Sequence, residues 1–222
     1  MEKRKIIFGT YDTAADGLLT LTGWEFSPAV AQTNYVDVPG RNGSLDLSFA
    51  LTEGVPVYGS RTLTARFETS EGTRLERQAR FDTMVNWLDG WSMYIQLPDD
   101  DAHYITGRVH VAVEYNDVAH GAVTVTAVCE PWRYFHTERT VTLTASETAQ
   151  TATLTNVGRA QLAPKLIVAG DSADVALSYG EYDWNLGAGV YILPDLILVQ
   201  GDNVLTYSGT GTVAITYREA VL

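Results

Sequence analysis

The chain is poor in the features that would name a chemistry. A single cysteine, Cys129, in 222 residues excludes an intramolecular disulfide framework and any cysteine-based zinc cluster. Basic residues are scarce: 15 Lys and Arg stand against 27 Asp and Glu, a formal charge of −12. A phosphate backbone demands a positive footprint, so this balance argues against a nucleic-acid binder. No apolar run is long enough for a membrane-spanning helix. The four histidines, His103, His110, His120 and His136, show no HExxH or other ligand spacing. A GxSxG elbow, a P-loop and a GxGxxG following a strand are all missing. No internal repeat or low-complexity tract occurs. The expectation is a protein that is not an enzyme and carries no metal or other cofactor. The basic start Met1–Lys5 precedes only Ile6-Ile7-Phe8 before Gly9, too short an apolar stretch for a signal peptide. With the lone thiol, this points to synthesis in a reducing cytosol.

What is present is strand signal. Arg108–Tyr115 places Val109, Val111, Val113 and Tyr115 on one face, the alternation of a half-buried strand. Ala122–Val128 repeats it after Asn116-Asp117 and His120-Gly121, and the two read as a hairpin. Arg139–Thr144 and Thr151–Thr155 read as another pair. Further strands are expected at Lys165–Ala169, Val175–Tyr179, Val190–Val199 (interrupted at Pro194-Asp195), Asn203–Tyr207 and Thr212–Arg218. Turn residues separate them at roughly the spacing of sandwiches and barrels. One segment departs: Phe81, Met84, Val85 and Leu88 fall at i, i+3, i+4 and i+7, which predicts an amphipathic helix over about 74–90. Leu75 and Ala79 extend that stripe backwards, and Arg74, Glu76, Arg77 and Arg80 form the charged opposite face.

Composition shifts near residue 135, with eleven basic residues before it and four after. Glu130–Phe135 carries Pro131 and leaves the alternation, so it reads as a linker. Two domains are expected, 1–134 with the helix and 135–222 entirely β. Candidate chemistry is thin. Asp99-Asp100-Asp101 could offer oxygens to Ca²⁺ but lacks the landmarks of an EF-hand loop, and reads as a solvated turn. Ser208–Thr212 is glycine-rich but reads as a hairpin loop, and Cys129 as a core residue. Tyr182, Asp183 and Trp184 cluster rings with a carboxylate, a candidate sugar or partner contact. A carbohydrate-binding, lectin-like role of the C-terminal sandwich is the alternative function this raises.

Val36-Asp37-Val38-Pro39-Gly40-Arg41-Asn42-Gly43-Ser44-Leu45-Asp46-Leu47 sets two alternating runs about Pro-Gly and Asn-Gly, the chemistry of a tight reversal. This segment resembles the signature of the distal tail (Dit) proteins of long, non-contractile-tailed phages, with Asn42 where that family often has Asp. Further motifs follow in the family's order. Arg61 and Phe67 lie in a Tyr-, Arg- and Phe-bearing segment, and Trp87-Leu88 closes the helix. Gly107-Arg108 lies in a hairpin, and Asn156, Gly158 and Pro164 stand at the start of the C-terminal half. The resemblance implies a mainly β fold: a β-sandwich-like N-terminal domain with one helix and a long hairpin, plus a galectin-like C-terminal β-sandwich. With no long insertion in its C-terminal half, the chain resembles the family's short form, without an inserted carbohydrate-binding module. The resemblance also implies a structural hub, a hexameric ring joining the tail tube protein to the tail-tip protein and holding receptor-binding protein. DNA would pass through, and the location would be the virion tail tip, with neither specific nucleic-acid binding nor membrane contact.

Overall fold

Alternation becomes antiparallel sheet along most of the protein. A computed structural model describes residues 4–50, 52 and 54–222, with the backbone alone at 171–173. The chain divides into two compact units, Met1–Pro131 and Trp132–Leu222. Among the described residues no helix is long and apolar enough to cross a membrane.

The first unit contains β1 (Ile7–Phe8), β2 (Tyr11–Asp12), β3 (Thr20–Phe26), β4 (Tyr35–Val36), β5 (Leu45–Asp46), β6 (Arg61–Thr69), α1 (Arg74–Leu88), β7 (Ser92–Gln96), β8 (His103–Asn116) and β9 (Gly121–Cys129). Seven strands make an antiparallel sheet in the order β2-β1-β7-β8-β9-β6-β3. β6 shows why: Leu63, Ala65 and Phe67 point inward and are fully buried, while the Thr and Arg between them face out. β8 and β9 form the expected hairpin. Val113 keeps register opposite Val123 but is 39% exposed, and beyond it the register shifts, so Tyr115 leaves the face kept by Val109 and Val111. Such a bulge reverses which side a strand residue faces.

α1 starts where its chemistry dictates. Thr73 is the N-cap, its side chain accepting from the Glu76 N–H at 3.3 Å while the Glu76 carboxylate accepts from the Thr73 N–H at 2.7 Å. The same Thr73 backbone N–H, then its hydroxyl, hold Glu76 below the usual carboxylate range. Phe81, Met84 and Leu88 are buried against Phe8, Leu63 and Val123 in one core. The outer face differs from expectation. Arg77 is 1% exposed, whereas Leu75 is 82% exposed and Ala79 also faces out. The buried stripe runs 77, 81, 84, 88, and positions 75 and 79 lie about 200° around the helix from 77 and 81.

The second unit contains β10 (Arg133–Phe135), β11 (Arg139–Ala145), β12 (Gln150–Asn156), β13 (Lys165–Tyr179), β14 (Tyr182–Gly187), β15 (Gly189–Ile192), β16 (Gly201–Tyr217) and β17 (Ala220–Val221). β11 and β12 do not pair with each other as expected. Both bind β16, β12 along its first half and β11 along its second. Ser208–Thr212 is therefore strand rather than a hairpin loop. Gly209, at φ +111°, lies so close to the Asp174 carbonyl that no side chain fits. β13 is shared likewise, its start with β15 and its end with β14, across a register break between Ala169 and Asp174. Leu154, Leu166, Val175, Leu205, Val213 and Ile215 fill its separate core. The fold is mainly β and sandwich-like.

Candidate assembly interface

The reversal at Pro39–Gly43 is the end of an arm. Among the described residues β4 and β5 pair only with each other, Tyr35 opposite Asp46 and Val36 opposite Leu45. The connection is longer than a two-residue turn; the Arg41 N–H reaches the Val38 carbonyl at 3.1 Å, and Gly40 and Gly43 adopt φ of +84° and +75°. The arm closes at its base through the Ala31–Tyr58 bridge and the Gln32 N–H to Val57 carbonyl bond of 2.7 Å. No residue from 28 to 50 is buried.

Pairing and alternation give the arm two sides. Val36, Val38, Leu45 and Leu47 share one face, by the Val36–Leu45 pairing and the period of two. The other face is mixed: Tyr35, 61% exposed, lies on it opposite Asp46, beside Ser44, which donates to Asp37 at 2.6 Å; the Asn34 N–H reaches the Ser48 hydroxyl at 2.8 Å. Asp46 accepts from the Ser48 N–H at 2.9 Å, and bonds from Ser48, side chain before backbone, hold its carboxyl low.

A second exposed apolar feature is a cleft of about 540 Å³ bounded by Trp87, Trp91, Met93, Gly9 and Thr10. Trp87 and Trp91 are 60% and 64% exposed, although Leu88 between them is buried. The corner carrying both rings is held firmly. The Gly90 N–H bonds the Val109 carbonyl at 2.8 Å, the Val109 N–H bonds the Trp91 carbonyl at 2.9 Å, and Arg108 donates to the Gly90 carbonyl. Asp89 accepts from the Val111 N–H at 2.9 Å and meets His110 Nδ1 at 2.7 Å. The Val111 N–H, chiefly, holds the Asp89 carboxyl below its ordinary range.

The other motif positions are architectural. Arg61 donates to the Ser27 carbonyl at 2.7 Å, and its guanidinium lies 3.7 Å from the centre of the Phe26 ring. Phe67 is core. A Cβ on Gly107 would meet Cys129 Sγ at 2.6 Å, and burial pushes that thiol up to about 11. Buried Asn156 donates to the Ala160 carbonyl at 2.8 Å and accepts from the Gly158 N–H at 3.1 Å. Gly158 packs against the Ala220 backbone with no space for a side chain, and Pro164 is buried before β13. On β14, the Tyr182 and Trp184 rings are brought together, 6.0 Å apart and 18° from parallel. Asp183, between them, points to the other face of the strand. Asp99, Asp100 and Asp101 each meet a different neighbour: Arg4 at 3.1 Å, His103 at 2.8 Å and Gln96 at 2.9 Å. Among the described residues no three or more His, Cys, Asp or Glu are grouped to hold a metal.

Two structural residues escaped the sequence reading. Arg77 donates from Nη1 to the Gly72 carbonyl at 2.6 Å, from Nη2 to those of Asp117 and Val118 at 2.6 and 3.2 Å, and from Nε to Asn116 Oδ1 at 3.2 Å. Asn203 is buried, donates to the Val199 carbonyl at 2.9 Å and accepts from Tyr179 Oη at 2.8 Å. Each holds a place in an apolar periodicity, which is the available signal.

No family profile matches the chain, and no curated protein sequence does. Among solved structures it is similar to the SPP1 Dit protein (gp 19.1), described as a paradigm of the hub adsorption apparatus in phages infecting Gram-positive bacteria. The two are 15% identical over 100% of each chain, with a TM-score of 0.74. The chain thus has the Dit fold from end to end.

Proposed function

We propose that this protein is a structural hub of a phage tail tip. Its first unit would form a hexameric ring joining the tail tube to the tail-tip protein and admitting DNA, and the hub would hold receptor-binding proteins. The observation that carries this reading is the end-to-end likeness to the Dit hub protein, which takes in both units at once. Two further features support it. The exposed apolar arm and cleft of the first unit are distinct patches, and a head-to-tail contact between distinct patches builds a ring where its rotation closes. The charge of −12 would be multiplied in such a ring, and acidic groups facing a channel repel passing DNA. The motif residues then act by shape: Pro39, Gly40, Asn42 and Gly43 set the arm's reversal, Arg61 clamps Ser27 at the start of β6, and Gly107 admits Cys129.

Light scattering and negative-stain micrographs of the full chain test the reading, alone and mixed with tail tube and tail-tip proteins from the same phage. The expected result is the mass of a hexamer and ring particles with a central opening. A protein that stays monomeric in every mixture overturns it.

A further inference from the structure

We propose that the arm between β3 and β6 is a hook, and that its apolar face seats on the Trp87–Trp91 cleft of a second copy of this chain. This rests on the ring reading and specifies the contact that would build the ring.

The arm carries the sequence pattern of a half-buried hairpin without a core to bury it. Val36, Val38, Leu45 and Leu47 share one face, while Asp37, Ser44 and Asp46 take the other together with exposed Tyr35. Such sidedness is stabilising only when the apolar side is covered. Yet Val36 and Val38 are each 40% exposed, and every residue from 30 to 44 is exposed. An isolated two-stranded hairpin is marginal in water, and ordering it costs about 1–2 kcal/mol per residue in backbone entropy. A covering surface is the missing stabilising term.

The cleft is the complementary feature. It exposes two indole rings on a corner fixed by backbone hydrogen bonds, so little ordering is needed when something docks there. Its position decides the occupant. The arm springs from the β3–β6 end of the sheet, whereas the cleft lies at the β1–β7 end. Five strand spacings separate β1 from β3, about 24 Å of sheet. Hook and cleft on opposite ends of one body form a head-to-tail pair, the kind of contact a ring requires and an isologous dimer does not. The arm also has the size for the task. Its residues 28–50 approach the roughly 20–30 residues that each side of a stable interface contributes.

Cross-linking of the full chain tests this in the same mixtures as above. A variant carrying Leu47→Cys and Trp91→Cys is treated with a short bismaleimide, with buried Cys129 as a silent background. A ladder of covalent oligomers is expected from the double variant, and dimers alone from an equal mixture of the two single variants. In parallel, Val36→Asp and Trp87→Ala are each expected to remove the assembled species in sedimentation velocity. The far-ultraviolet spectrum should not change, because neither residue is buried. Rings that form in both variants and yield no arm-to-cleft cross-link overturn the hook and leave the ring reading standing. Cross-links from the arm to the tube or tip protein alone also overturn it, naming another occupant. A chain that is monomeric and uncross-linked in every mixture overturns both.

Discussion

Replacing Arg77 tests whether a buried cation, absent from every sequence motif, holds the first unit together. Its guanidinium joins Gly72, just before α1, to Asn116, Asp117 and Val118 where β8 turns towards β9. Three of the four acceptors are backbone carbonyls, so neutral carbonyl dipoles carry much of the charge's stabilisation. Hydrogen bonds to a charged group contribute about 1.5–3 kcal/mol each, but burying the cation offsets much of their sum. Arg77→Met keeps most of the stem's packing and removes all four bonds, leaving acceptors short of donors. The expected loss is about 3 kcal/mol, within the range for breaking a buried polar network. For a unit of this size that corresponds to a fall in Tm of roughly 10 °C. Arg77→Lys should recover only part of it, since an ammonium cannot span the fork. Calorimetry on the full chain reads the Tm of each unit, and amide hydrogen exchange at 116–121 reads the tether directly. A loss below about 1 kcal/mol in Arg77→Met with unchanged exchange there would refute the reasoning, because water would then be replacing the guanidinium at no penalty.

Three further outcomes follow from close contacts and carboxylate hydrogen bonds. Gly107→Ala should destabilise the first unit by about 2 kcal/mol, and pairing it with Cys129→Ala should restore part of that loss, because the added methyl clashes with Sγ; additive effects in a double-mutant cycle would refute the clash. Gly158→Ala should lower the Tm of the second unit while sparing the first, since its methyl would collide with the Ala220 carbonyl; two unchanged calorimetric transitions would contradict this. Glu76, Asp89 and Asp117 all have depressed folded pKa values, held chiefly by the N–H groups of Thr73, Val111 and His120. Their contribution is present above the unfolded carboxylate values near pH 4 and is lost as pH falls through the lower folded ones. Tm should therefore hold to about pH 5 and drop below about pH 4, with a shallower fall in Asp89→Asn; equal acid slopes for that variant and the parent would count against it.

Local pattern determined a large part of this molecule. The alternation in 108–115 and 122–128 marked one hairpin, and the spacing of Phe81, Met84 and Leu88 marked the helix and its buried stripe. Pro39-Gly40 and Asn42-Gly43 marked a reversal. Each signal is short-range because it depends only on which side a residue faces, and period decides that. The motifs in their order also resembled the distal tail proteins whose fold the chain adopts. Tertiary structure decided the partners. β11 and β12 look like a hairpin in sequence, yet both pair with β16, one along each half of it, over the second core. Arg77 reads as surface because charge prefers water, and only the convergence of four acceptors from two distant segments makes its burial tolerable. The exposed arm was also beyond reach in sequence. Alternation states that Val36, Val38, Leu45 and Leu47 belong on a covered face, but only three-dimensional packing reveals that, among the described residues, neither β4 nor β5 pairs with any strand but the other.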